Sequence, residues 1–289
     1  MSSVLVPFDP WKSPLCTCPE KLSFNPYTGC SHSCLYCYIS SYIRNPFRAR
    51  PKREVLRRLA RDLRKYSNEG SKRYNYISMS NSSDPYTPPE EKMRITRDCL
   101  SLIREYDYPV LIITKSDLVK RDFDVISEMK ASLSVTVTTL SENKSSILEP
   151  LAPSPKRRLE AIKEFSGVLK TSVRIDPIIP GINDSENEIR SLIEEISKSG
   201  ADQVITSTYK PRPSDWKRLN SVFRIKADFS RKVGNSRYLP KEYRFNLISL
   251  VREISLEYGL EFSSCREGFP NLNTDICDGF DANLIGSRW

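Results

Sequence analysis

Histidine is almost absent from this chain. His32 is the single one in 289 residues, so any metal site beyond its neighbourhood has to be built mainly from thiols. No apolar run approaches the roughly 18–20 residues needed to cross a bilayer, which argues against a membrane span. Residues 1–20 lack a basic segment followed by an apolar one, so no secretory signal is expected. There is no Gly-x-Gly-x-x-Gly, which counts against an ordinary dinucleotide-binding fold. Eight cysteines in a chain this long fall below the density of a disulfide scaffold. They suggest a reducing, cytoplasmic compartment. What the chain does have is positive charge: 45 Lys and Arg against 36 acids, a net +9. That balance suggests an anionic partner, nucleic acid first. The hydrophobic fraction is a low 38%. The length still permits a sizeable core, as one large α/β domain or two small ones.

The chain is organised around Gly29-Cys30-Ser31-His32-Ser33-Cys34-Leu35-Tyr36-Cys37-Tyr38. Three thiols at CxxxCxxC spacing can all reach one small object, and thiolates are preferred ligands of zinc and iron–sulfur clusters. Either site type normally takes four protein ligands. Three in one loop leave a coordination position open, which suits chemistry more than scaffolding. A zinc knuckle or half of a ferredoxin motif are the alternatives, and each would require a fourth ligand.

Around this loop, strand and helix signals alternate. Residues 22–26 read as a strand, and Lys52–Tyr66 as a helix with Val55, Leu56, Leu59, Ala60 and Leu63 on one face. Tyr74–Met79, Pro109–Thr114, Leu133–Thr138, Thr171–Ile175 and Gln203–Ser207 read as further strands. Between them lie helical patterns at Glu90–Tyr106, Asp117–Lys130, from Ser154-Pro155 onward, and at Asp184–Ser199. Six strand–helix steps without a hairpin signal imply a parallel sheet. The metal motif follows the first strand, and in barrels chemistry gathers at the C-terminal strand ends. The expected fold is therefore α/β, a partial (β/α)6 TIM-type barrel. Residues 1–20, with four prolines, would form an N-terminal extension, 21–209 the barrel, and 210–289 a helical C-terminal extension closing it.

The strand ends carry polar motifs. Ser83-Asp84-Pro85-Tyr86, with Pro88 and Glu90 beyond, follows the second strand, and Thr114-Lys115-Ser116 the third. Thr136-Val137-Thr138-Thr139 closes the fourth, and Glu149-Pro150-Leu151-Ala152-Pro153 comes next. Arg174 and Asp176 lie on the fifth, ahead of Pro177-Ile178-Ile179-Pro180-Gly181.

With Asn25-Pro26-Tyr27-Thr28-Gly29-Cys30, this ordered set resembles the radical S-adenosylmethionine superfamily, in the branch of spore photoproduct lyase. The resemblance spans roughly residues 15–285 and implies that Cys30, Cys34 and Cys37 hold a 4Fe-4S cluster. The fourth iron would bind S-adenosylmethionine, whose reductive cleavage yields a 5′-deoxyadenosyl radical that takes hydrogen from the substrate. It implies cofactor contacts from Tyr36, Ser83, Asp84, Lys115, Thr136 and Arg174. Asp84 would suit the methionyl ammonium, Lys115 the carboxylate, and a hydroxyl near Thr136 the ribose. A reductant protein such as ferredoxin or flavodoxin is implied as a partner. There is one departure: the branch's thiol hydrogen donor near the second-strand turn is replaced by Asn81-Ser82, which sets thymine-dimer repair apart from the initiating chemistry. Cys99, the nearest thiol, has a core position in a helix.

Cys16, Cys18, Cys265 and Cys277 remain, at the two extremes of the chain. They are expected to be core or paired thiols, or to converge on a second metal, zinc or an auxiliary iron–sulfur cluster. A Cys-x-Cys loop is tight for one ion, and Phe280-Asp281-Ala282-Asn283-Leu284 stands where similar tails carry a His. Two segments are strongly basic: 44–73 has twelve Lys or Arg against three acids, and 210–244 eleven against three. In the second, Trp216, Phe223, Phe229, Tyr238 and Tyr243 could stack on bases or pack inward beneath a basic surface. Two functions follow. One is a radical enzyme acting on DNA or tRNA. The other is a non-catalytic, metal-stapled nucleic-acid-binding protein.

Overall fold

The computed structural model describes residues 2–8, 13–67, 74–234 and 236–285. Pro10, residues 68–73 of the first basic segment and the last four residues lie outside these. In chain order the strands are β1 Val6–Pro7, β2 Leu22–Phe24, β3 Tyr27–Thr28, β4 Arg50–Pro51, β5 Ile77–Met79 and β6 Val110–Thr114. They continue as β7 Ala131–Thr136, β8 Lys170–Ile178, β9 Gln203–Thr208, β10 Arg231–Val233, β11 Ser236–Tyr238 and β12 Glu261–Ser264. The α-helices are α1 Val55–Ser67, α2 Glu90–Met93, α3 Ile95–Glu105, α4 Phe123–Ile126, α5 Glu142–Leu148 and α6 Pro155–Phe165. They end with α7 Glu186–Lys198, α8 Pro213–Phe223 and α9 Lys241–Glu257.

One eight-stranded sheet runs β1-β2-β5-β6-β7-β8-β9-β12. Only the β1–β2 pair is antiparallel, with Val6 opposite Ser23; the rest is parallel. This is the partial barrel that the alternating pattern predicts, with one addition. A seventh parallel strand, β12, pairs Phe262 with Val204 and extends the sheet beyond the six expected. The hairpin β10–β11 also carries no signal in the sequence reading.

Helices pack on the outside through their apolar stripes. Leu59 and Leu63 of α1, Leu100 and Ile103 of α3, Ile189, Leu192 and Ile196 of α7, and Ile248, Val251 and Ile254 of α9 are all buried. Phe245, near the start of α9, is half-exposed and meets Phe269 edge-on at 5.4 Å. Caps fix the helix starts: Ser154 accepts from the Arg157 N–H and Ser185 from the Glu188 N–H. For α8 the cap is Asp215, whose carboxylate accepts from the Arg212 N–H at 3.2 Å, whereas Ser214 bonds to Ser40. The expected helix 90–106 breaks at Arg94, in left-handed conformation. There the buried Glu90 carboxylate turns to accept the Thr96 N–H. Residues 117–122 form a 3-10 turn ahead of α4 rather than one long helix.

The barrel interior is polar. Ser172 donates to Ser134 at 2.9 Å, and the Gln203 side chain donates to Ser263 and to the Ile276 carbonyl. Part of this polarity is satisfied by the C-terminal tail, which folds into the barrel. The Asp281 N–H reaches Ser132, and Phe280 stacks on Tyr76 with centroids 3.9 Å apart. Gly279 makes that passage possible. At φ +86° its missing Cβ would lie 2.4 Å from the Ser172 hydroxyl.

Candidate functional site

The antiparallel pair β3–β4 ties off the cysteine loop, with Tyr27 opposite Pro51. Gly29 is required there. It sits at φ +78°, and a Cβ would meet the Arg48 carbonyl oxygen at 2.6 Å and that of Pro46 at 2.9 Å. The same Pro46 carbonyl accepts from the Cys30 N–H at 2.7 Å. The loop is then clamped from three sides. Leu35 donates to the Leu148 carbonyl, and Leu151 to that of His32. Arg218 of α8 donates to the carbonyls of Cys34 and Cys37 at 3.3 and 3.2 Å, its guanidinium lying 4.4 Å over Phe47. Tyr36 donates to Glu149, which is fully buried and ion-paired with the equally buried Arg158.

Cys30, Cys34 and Cys37 line one cavity of about 570 Å³, within the range of small-molecule sites. It opens at the C-terminal ends of the parallel strands. Asn25 follows β2, Asp84 follows β5, Lys115 follows β6, Thr136 ends β7, Arg174 and Asp176 come from β8, Ser207 and Thr208 from β9, and Cys265 follows β12. Of the residues expected around the cofactor, Tyr36, Asp84, Lys115, Thr136 and Arg174 all face it. Ser83 does not line it. Its hydroxyl is buried behind the wall without a partner.

The charges are organised. Asp84 accepts from Thr114 at 2.7 Å, from the Lys115 N–H at 2.7 Å and from the Tyr86 N–H at 2.9 Å, with the His32 imidazole 3.5 Å away. Burial alone would push its carboxyl up; His32 and the Thr114 and Lys115 donors outweigh that and hold it below the usual value. Lys115 sits 5.7 Å over the Tyr36 ring and makes no ion pair among the described residues. Burial would discharge it, but Cys34, Glu149 and Asp84 raise its pKa and keep it an ammonium. Arg174 is already committed to Asp176 at 3.2 Å.

Three thiols and one open position are a donor set that fits an iron–sulfur cluster. Among the described residues, no group of three or more His, Cys, Asp or Glu side chains is already arranged around a metal position. Burial raises all three thiols, Cys30 to about 12 with Asp84 and Cys37 adding to it. They therefore stay protonated until a cation displaces the protons.

Several contacts around the cavity carry no obvious signal in the sequence. Tyr38 donates to the Asn81 carbonyl and fixes the second-strand turn. Glu267, fully buried, receives Lys210 at 2.6 Å, Arg244 at 3.0 Å and the Thr208 N–H at 2.7 Å, locking β9 to the C-terminal segment. A lone acid between Arg266 and Gly268 gives no hint of this. Of the aromatics of 210–244, Trp216 packs edge-on to Phe229, as does the neighbouring Tyr209, and Tyr238 is buried beside Lys210 and Arg244, while Tyr243 is exposed and donates to Asp184 at 2.8 Å. Cys99 is a fully buried core residue. No helix among the described residues is long and apolar enough to cross a membrane.

Comparisons with known proteins place the chain among relatives. The chain is 30% identical over 220 residues to an uncharacterized protein of Acidianus two-tailed virus, covering 71% of this chain and 72% of that one. It is 31% identical over 183 residues to an uncharacterized protein of Methanocaldococcus jannaschii, covering 62% and 67%. A solved spore photoproduct lyase mutant, with AdoMet and dinucleoside spore photoproduct bound, superposes with a TM-score of 0.70 at 17% identity, over 88% of this chain and 79% of that one. SuiB of Streptococcus suis bound to S-adenosylmethionine gives 0.62 at 16% identity, over 91% and 55%. At these identities the structural matches speak for the fold. The sequence model of the radical SAM superfamily matches residues 24–195, well over half of the chain and including the whole cysteine loop. The chain belongs to the radical SAM superfamily.

Proposed function

We propose that this radical SAM enzyme holds a 4Fe-4S cluster on Cys30, Cys34 and Cys37, binds S-adenosylmethionine in the cavity above, and acts on nucleic acid. The observation that carries the reading is the meeting of those three thiols with an unpaired ammonium, Lys115, and an ionised carboxylate, Asp84, in one cavity. When bound, the cluster and S-adenosylmethionine supply a reductively generated 5′-deoxyadenosyl radical that takes hydrogen from the substrate. The chain's own residues bind and orient. Lys115 offers a positive charge to a carboxylate and Asp84 a negative one to an ammonium. Glu149 and Arg158 hold Tyr36 against the cavity wall. Arg174 and Asp176 neutralise each other, so they serve as a fixed polar wall rather than a free charge.

Nucleic acid is favoured by the net charge of +9 and by a shallow groove on α1 lined by Arg57, Arg58, Arg61 and Arg64. The spore photoproduct lyase neighbour holds a dinucleoside in a barrel of the same fold, which supports the same substrate class here. The test is deuterium transfer. Anaerobic, cluster-loaded protein is incubated with S-adenosylmethionine, dithionite and perdeuterated DNA or tRNA. Deuterium in 5′-deoxyadenosine from one pool identifies the substrate class. Product formed without label from either pool removes nucleic acid. A full cluster that yields no 5′-deoxyadenosine at all favours a non-catalytic, metal-stapled binder.

A further inference from the structure

Cys16, Cys18, Cys265 and Cys277 come from the two extremes of the chain; the first three line the cavity, and Cys277 lies against Cys18. Three contacts bring their segments together. Lys21, buried next to β2, is ion-paired with the buried Asp278, which also accepts from the Tyr76 hydroxyl. Gly268 packs against Leu15, and its missing Cβ would stand 3.1 Å from that side chain. The Cys18 and Cys277 sulfurs are 3.6 Å apart. Cys265 is set at the end of β12 by its N–H bond to the Thr206 carbonyl at 2.8 Å. All four cysteines are free thiols.

We propose that Cys16, Cys18, Cys265 and Cys277 bind one tetrahedral zinc ion, distinct from the Cys30–Cys37 site, that pins the N-terminal segment to the C-terminal segment at the cavity rim. The Cys18–Cys277 spacing suits a single ion. Zn–S bonds of about 2.3 Å at tetrahedral angles put neighbouring sulfurs about 3.8 Å apart, close to the 3.6 Å seen for Cys18 and Cys277. A disulfide would hold them at about 2.05 Å. A cubane cluster assigns each thiolate to a different iron and spreads them further than this pair. Four thiolates on Zn²⁺ carry a double negative charge. Arg266, next to Cys265, is within electrostatic reach of it, while Lys21 and Arg174 nearby are already paired with Asp278 and Asp176. With four protein ligands the site is closed and its role structural. It needs no His, in a chain whose single His packs against Asp84.

The test is metal content of the full-length, tag-free protein purified without oxygen. The expected result is about one zinc per chain. In Cys18→Ser and Cys277→Ser the zinc falls at least tenfold while the iron is unchanged. The Cys30→Ala/Cys34→Ala/Cys37→Ala variant loses its iron and keeps its zinc. If the serine variants fail to fold, Co²⁺ replaces zinc in the iron-free triple variant, where intense ligand-field and sulfur-to-cobalt bands mark an all-thiolate tetrahedral site. The proposal is overturned by wild type without zinc, by zinc that persists in Cys277→Ser, by a second complement of about four irons in its place, by cobalt bands of octahedral intensity, or by an intact mass showing a Cys18–Cys277 disulfide.

Discussion

Replacing Gly29 by Ala isolates the geometric demand of the cysteine loop. Two costs combine at this position. An L-residue at φ +78° pays about 1 kcal/mol for the left-handed region. The new methyl would also lie 2.6 and 2.9 Å from two backbone oxygens. Neither can retreat cheaply, since the Pro46 carbonyl already holds the Cys30 N–H. Overpacking of this kind costs about 1–3 kcal/mol, for a total of about 2–4. Gly259 is the matched control, with φ +74° and nothing within 4 Å of a built Cβ, so Gly259→Ala pays only the first cost. At about 2–4 °C per kcal/mol, the control should lose a few degrees of Tm and Gly29→Ala about two to four times as much. Circular dichroism melts of the metal-free proteins measure this. Iron per chain after reconstitution should fall in Gly29→Ala and stay at the wild-type level in the control. Equal melting losses together with full iron in Gly29→Ala would refute the argument that the Cys30 backbone is held by this contact.

Three further outcomes are expected. Arg158→Met leaves Glu149 charged and fully buried, a loss of about 3–5 kcal/mol in denaturant unfolding, much of which the Glu149→Gln/Arg158→Met double variant should restore. Asp84, Glu149 and Asp176 all have folded pKa values held below their ordinary ones. Burial opposes this in each case, overcome by His32, by Arg158 and Lys115, and by Arg174 and Lys210 respectively. Their stabilisation is thus complete above the unfolded carboxylate range of about pH 4 and is lost as pH falls below it, so unfolding free energy should be flat from neutral to about pH 5 and drop steeply beneath. Lys115→Met should raise the KM for S-adenosylmethionine about 10–100-fold, the worth of a charge-assisted contact; an unaltered KM would place the carboxylate elsewhere.

The legibility of the molecule followed the physics of each element. β6 and β7 are long, almost wholly buried and rich in branched residues, so their positions stand out, as do the polar residues at their C-terminal ends. β12 is four residues, Glu-Phe-Ser-Ser, with one large apolar side chain, and its strand character comes from pairing with β9. α5 is only seven residues long, and its Ser141 cap is as common in turns. The split at Arg94 depends on where a buried carboxylate turns, which no periodicity records. At the site, CxxxCxxC spacing and the ordered strand-end motifs were readable because they are local. The Arg218 clamp and the Glu267 lock were not, since they join residues far apart in the chain. The inward packing of Trp216 and Phe229 shows the limit of composition: an aromatic-basic mixture looks the same whether its rings stack on bases or on each other.

The central claim is that Cys30, Cys34 and Cys37 form a working radical centre. The most direct measurement is product analysis of the anaerobically reconstituted protein with dithionite and S-adenosylmethionine, in wild type and in Cys34→Ala. Methionine and 5′-deoxyadenosine are expected in equal amounts from the wild type and neither from the variant. A wild-type protein with its full complement of iron that leaves S-adenosylmethionine intact, or a variant that cleaves it equally well, would contradict it.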